Sequence, residues 1–161
     1  MTDESVVPSW MKEEQQKEEA LESARHASEH RALAVHLILE REGPKFWQSL
    51  KEKLQISVES LRVLNLNGSF GSPMGDPRHI HIEVVRQESL PQLANTDIYF
   101  DGESFHCTGL NIGSYDVKLV VATNNDVAAS VLNEPHKMMD PDRTAEYVMR
   151  RMVNFVKTGR R

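Results

Sequence analysis

Cysteine is nearly absent from this sequence. Cys107 is the only one in 161 residues, so no disulfide can close within the chain. A small disulfide-stapled scaffold is excluded, and one lone thiol fits a reducing compartment. Basic excess is absent too: 19 Lys and Arg stand against 24 Asp and Glu, a net charge of −5. Such a chain has no electrostatic footprint for nucleic acid or for an anionic membrane. The basic spots are local, at Arg150–Arg151 and in the tail at Lys157, Arg160 and Arg161. No apolar run approaches the roughly 20 residues of a membrane span. The longest mostly apolar stretch, "ALAVHLIL" at 32–39, is interrupted by His36. The start, "MTDESVVPSW", lacks the basic and apolar regions of a secretory signal. These absences together point to a cytoplasmic protein that contacts neither membrane nor nucleic acid.

Glycine and proline are missing from residues 12–42, a run rich in Glu, Lys, Gln, Ala and Leu. These are strong helix formers, and the segment is expected to be helical. Its first third is polar on every side, so residues 1–18 are expected to form a loose polar segment of one α+β domain spanning 1–161. Gly43-Pro44 follows. Glycine suits the position just past a helix and proline the first turn of the next, so an elbow is expected here. A second helix is expected over 45–63, where Phe46, Trp47, Leu50, Leu54, Val58 and Leu61 recur at three and four residues.

Composition changes after that helix. "NGSFGSPMGDP", 67–77, is dense in Gly, Pro, Ser and Asn and reads as a loop. It lacks the lysine of a P-loop, and its helix–loop–strand order is wrong for a dinucleotide-binding turn. Strands are expected at 79–86, 96–100, 103–109 and 114–123, with 126–133 open between strand and helix. Asp101-Gly102 predicts a two-residue type I′ hairpin loop. Short connections favour an antiparallel meander. A last helix is expected over 141–157, N-capped by Asp140 with Pro141 in its first turn and Gly159 beyond its end. Its buried stripe would be Ala145, Val148, Met149, Met152 and Val156. The expected architecture is two N-terminal helices and one C-terminal helix on one face of a four- to five-stranded antiparallel sheet.

The chemistry-bearing residues gather in "RHIHIEVV", 78–85. Alternation puts Ile80, Ile82 and Val84 on the core face and His79, His81 and Glu83 on the other. A loop at Asp101-Gly102 would set Asp97 opposite His106 on that same outer face, and Thr96 opposite Cys107 on the core face. Cys107 is then a buried small hydrophobe. Residues i and i+2 of a strand lie about 6.6 Å apart and point the same way. Two imidazoles so placed can converge on one ion with a ligand from a neighbouring strand. The candidate metal ligands are therefore His79, His81, Glu83 and His106, with Asp97 behind them, and the candidate ion is a divalent transition metal such as zinc. The alternative is a solvated sheet face that binds no cofactor, with Asp97–His106 an ordinary cross-strand pair.

"HIHIEVV" also resembles, over seven residues, the motif of the histidine-triad nucleotide hydrolases, in which three histidines alternate with apolar residues. That resemblance implies His81 as nucleophile. Glu83 stands where the third histidine belongs, and the long helical stretch before the motif departs from that family's order. Elsewhere, His26 and His30 are four apart on the first helix, but "HASEH" lacks the arrangement of a zinc-protease helix, so an exposed face is expected. His136 has no evident companions.

Function follows from two features. The histidine face supports a metal- or small-ligand-binding protein, possibly a hydrolase. The larger body of the sequence supports a non-enzymatic interaction or regulatory module. Within 31–42, Leu33 and Leu37, Ala34 and Ile38, and Val35 and Leu39 mark three successive sides of one helix. A helix apolar nearly all round must be buried nearly all round, which predicts a homodimer through residues 31–42.

Overall fold

The computed structural model describes residues 7–88 and 91–159, with Pro135 and His136 described in backbone only. Residues 1–6, the basic pair Arg160 and Arg161, and the His136 side chain lie outside the described residues. The chain falls into two compact units, Met1–Leu37 and Ile38–Arg161.

One helix, α1 (Ser9–Glu59), replaces the two expected N-terminal helices. It begins inside the segment expected to be loose, so residues 9–18 are helical. The elbow at Gly43-Pro44 does not form, and Pro44 lies within the helix. The reason is packing. Gly43 falls four residues after Leu39 and three before Phe46, on the buried stripe that continues through Trp47, Leu50, Leu54 and Val58. A side chain at Gly43 would put its Cβ 2.7 Å from the Gly102 carbonyl oxygen. The glycine is there to let the helix backbone approach that loop, and the buried apolar stripe outweighs the one backbone hydrogen bond that Pro44 cannot donate. The helix runs on into a short 3-10 turn, Ser60–Leu64, closed by Asn65 in the left-handed region.

The Ile38–Arg161 unit contains a seven-stranded sheet, not one of four or five. Its strands are β1 (Asn67–Gly71), β2 (His79–Arg86), β3 (Gln92–Phe100), β4 (Ser104–Gly109), β5 (Gly113–Val121), β6 (Val127–Val131) and β7 (Glu134–Met139), paired antiparallel in chain order. The two unexpected strands, β1 and β7, are the sheet's edges. "NGSFG" and "EPHKMM" carry no alternating apolar pattern, because edge strands can hold their place by backbone pairing and tolerate Gly and Pro. Gly68 has a further role: a Cβ there would meet Leu61 Cδ1 at 2.5 Å, so the missing side chain lets β1 lie against the 3-10 turn.

The C-terminal helix, α2 (Pro141–Thr158), forms as its sequence predicts. Asp140 caps it by accepting from Arg143 N at 2.8 Å, Pro141 opens it, and Gly159 closes it with φ +65°. Ala145, Val148, Met149, Met152 and Val156 are its buried side chains, together with Thr144.

The core lies between the helices and one sheet face. Ile80, Ile82, Val84, Ala94 and Ile98 are fully buried there. Phe46 and Trp47 stack on Phe105, and Trp47 also on Phe100. Cys107 is buried in this layer, and burial pushes its thiol up to about 12. Arg151 lies over the Tyr115 ring at 4.3 Å and donates to the Tyr147 hydroxyl at 3.0 Å.

The packing account of Gly43 makes a test. Alanine is ordinarily better than glycine in a helix by about 1 kcal/mol. Here Gly43→Ala is expected to destabilise by about 1–3 kcal/mol, because its Cβ meets backbone that cannot rotate away. Urea denaturation reads the sign; a stabilised variant would contradict the close approach.

Candidate functional site

The hairpin between β3 and β4 fixes which outer-face residues meet. Phe100 pairs with Phe105, Tyr99 with His106, Ile98 with Cys107 and Asp97 with Thr108. The turn residues are therefore Gly102 and Glu103, one later than expected. Gly102 has φ +106°, and Glu103 is not among the residues of positive φ, so the turn is not type I′. Asp101 explains the shift, since its Oδ1 accepts from Glu103 N at 2.9 Å and Ser104 N at 2.8 Å. An aspartate engaged with the two following amides stands at the turn's entrance rather than inside it. Moving the turn by one residue moves the pairing by two, so every side chain keeps its face and changes its partner.

Asp97 consequently does not meet His106. It meets β2, where His81 is its register partner and His79 is Tyr99's. Asp97 Oδ1 accepts from His79 Nε2 at 2.7 Å and from His81 Nδ1 at 3.0 Å. Tyr99 stacks on the His79 ring, centroids 4.2 Å apart. Glu83 Oε2 lies 4.0 Å from His81 Nε2. His106 is held instead by Asp116 on β5. The expected group thus divides: His79, His81, Asp97 and Glu83 come together, and His106 belongs to a separate pair. Asp116 was legible in principle. The turn at Asn111–Gly113 joins β4 to β5, and the observed pairing of Gly109 with Gly113 carries His106 onto Asp116.

Burial opposes the charge on Asp97, but the hydrogen bonds from His79 and His81, and the nearness of those rings, outweigh it and hold the carboxyl below its usual range. Lowering a carboxyl's pKa on folding stabilises the native state above the unfolded value of 3.8, and the contribution is lost as pH falls through the lower folded value. Asp97→Ala is expected to cost about 1–3 kcal/mol at neutral pH, since two part-buried N–H donors lose their acceptor. It should also flatten the acid side of the stability–pH curve. Denaturant melts across acidic pH check both, and an unchanged acid limb would count against the pairing.

The cluster's chemistry is limited by its own satisfaction. His81 gives Nδ1–H to Asp97, which leaves Nε2 as the available nitrogen, the orientation of a carboxylate-backed base. Among the described residues no hydroxyl or thiol hydrogen-bonds that nitrogen, and Cys107 sits on the opposite face of the sheet. For metal binding, no group of three or more His, Cys, Asp and Glu among the described residues is placed to hold an ion. His81 and Glu83 alone would offer two ligands where a zinc site takes three or four.

A second candidate is the helical surface at 31–37. Leu33 and Leu37 are 56% and 55% exposed, whereas Leu39 is 5% exposed. Alternation within one helix thus separates a covered leucine from two uncovered ones. Upstream, Trp10, Met11 and Leu21 are exposed as well, and so are His26 and His30. No helix among the described residues is long and apolar enough to cross a membrane.

No family model matches the chain, and neither curated proteins nor solved structures gave a match.

Proposed function

We propose that the chain is a cytosolic, non-enzymatic interaction module that self-associates by docking the helical segment 31–42 against the α1 of a second copy. The observation that supports this reading is the exposure of Leu33 and Leu37 on a helix whose Leu39 is buried. Large apolar side chains clustered on one exposed helix side mark a contact surface. A second copy is the economical partner, because two-fold pairing is the commonest arrangement of soluble chains. The lone buried Cys107 is compatible with a reducing compartment. The histidine cluster takes a structural role in this reading, with Asp97 tying β2 to β3.

Burying a leucine contributes about 1.5–3 kcal/mol. Two from each copy give about 6–12 kcal/mol gross, of the same order as the cost of association, so a weak, concentration-dependent pair is expected. Sedimentation velocity over a micromolar concentration series tests it. The mass should rise from one chain toward two chains of 18.3 kDa. A chain that stays monomeric at the highest concentration would overturn the proposal.

A further inference from the structure

The exposed leucines belong to a longer pattern. Counting back from Leu37 in steps of three and four residues gives Leu33, His30, His26, Glu22, Glu19, Gln15 and Met11. Steps of this size keep to one side of a helix. All eight side chains are exposed, and all lie within α1 in the Met1–Leu37 unit. Read from either end, the stripe sets Met11 against Leu37 and the glutamates against the histidines, while Leu33 falls opposite Gln15. Apolar Met11 stands at one end and Leu37 at the other. Two glutamates lie before the midpoint and two histidines after it.

The surrounding charge is segregated in the same sense. Residues 12–22 hold Lys12 and Lys17 against Glu13, Glu14, Glu18, Glu19 and Glu22, so 2 − 5 leaves −3. Residues 25–36 hold Arg25 and Arg31 against Glu29, which leaves +1 before any of His26, His30 and His36 is protonated.

Resting on the self-association proposed above, we infer that the two α1 segments pair antiparallel about a two-fold axis near Ala24, with Met11 against the second copy's Leu37, Glu22 against its His26 and Glu19 against its His30. Two features favour this direction. A parallel pair would match leucine to leucine, but it would set Glu19 and Glu22 on their own counterparts and one −3 block on the other. Like charges directly opposed destabilise, and opposed acid–base pairs contribute. A parallel pair would also attach both Ile38–Arg161 units at the same end, one residue beyond Leu37, whereas an antiparallel pair attaches them at opposite ends.

A nitroxide on Lys12→Cys in the full chain tests the direction, since native Cys107 is buried and does not compete for the label. With 1.5 Å of rise per residue, an axis at residue 24 places the two labels roughly 36 Å apart. Parallel helices would place them about 10 Å apart, the interaxial distance. A second site, Gln16→Cys, should give roughly 24 Å on the same rise and guards against a local effect of the first label. Mixing Lys12→Cys with His36→Cys should give a short distance between unlike chains. Short distances for Lys12→Cys alone would overturn the antiparallel arrangement and leave self-association standing. A wild-type chain that never dimerises would instead remove the reading on which the arrangement rests.

Discussion

Trp47→Ala is expected to cost about 3–5 kcal/mol, the largest loss for any single side chain considered. Trp47 is 5% exposed and stacks on Phe100 and Phe105, with ring centroids 5.2 and 5.4 Å away. Its Nε1 donates to the Pro77 carbonyl at 2.7 Å, and Lys51 lies over its ring. One side chain therefore ties α1 to the β3–β4 hairpin and to the segment entering β2. Its removal leaves a cavity in the aromatic layer and leaves the Pro77 carbonyl with only the 3.5 Å contact from Lys51 Nζ. Native domains are stable by only about 5–15 kcal/mol, so the variant should be largely unfolded in mild denaturant. Trp47→Phe separates the two parts. It keeps most of the stacking and loses the hydrogen bond, with an expected cost of about 0.5–1.5 kcal/mol from the bond and a smaller amount from packing. Equilibrium denaturation of both variants decides; a Trp47→Ala cost near that of Trp47→Phe would mean that the aromatic layer contributes little.

The double substitution Leu33→Asp with Leu37→Asp should act in the opposite way, leaving the fold and removing the dimer. Both leucines are exposed in the single chain, and surface substitutions usually stay within about 0.5 kcal/mol of neutral. At the proposed interface the pair forfeits two buried leucines from each chain, at least about 6 kcal/mol in all, which weakens association by more than about ten-thousandfold. The expected species is a folded monomer whose melting midpoint matches that of wild type diluted below its dimerisation range. Leu39→Asp is the control, because Leu39 is buried in the chain itself and a charge there should lower stability instead. If the double variant still dimerises, the contact lies elsewhere on the molecule.

The parts of the fold that were legible in the sequence are those in which pattern and packing agree. "HIHIEVVR" became β2 with the expected face assignment, because Ile80, Ile82 and Val84 alternate without interruption. The C-terminal helix was legible from Asp140, Pro141 and Gly159, each with a local physical role at a helix end. The elbow at Gly43-Pro44 misled because glycine has two uses. It can end a helix, or it can let a helix approach another backbone, and only the position of Gly102 tells which. The edge strands β1 and β7 were illegible because they are held chiefly by backbone pairing, which leaves no side-chain period. Within the candidate site, the face was right and the partners were wrong. A one-residue error in the turn, caused by Asp101 binding Glu103 N and Ser104 N, gave Asp97 to His106. The sequence joining β2 to β3, "QESLP" at 87–91, carries no tight-turn signature from which to count, so the bridge from Asp97 to His79 and His81 had no signature in the sequence.

The central claim is that Leu33 and Leu37 are where a second copy sits. An isotope-mixed sample tests it most directly: half the chains carry labelled leucine methyls, half are unlabelled, and only contacts between unlike chains are recorded by filtered NOE. The account predicts intermolecular contacts at the Leu33 and Leu37 methyls and none at Leu39. Intermolecular contacts that avoid both exposed leucines, or none at any concentration, would contradict it.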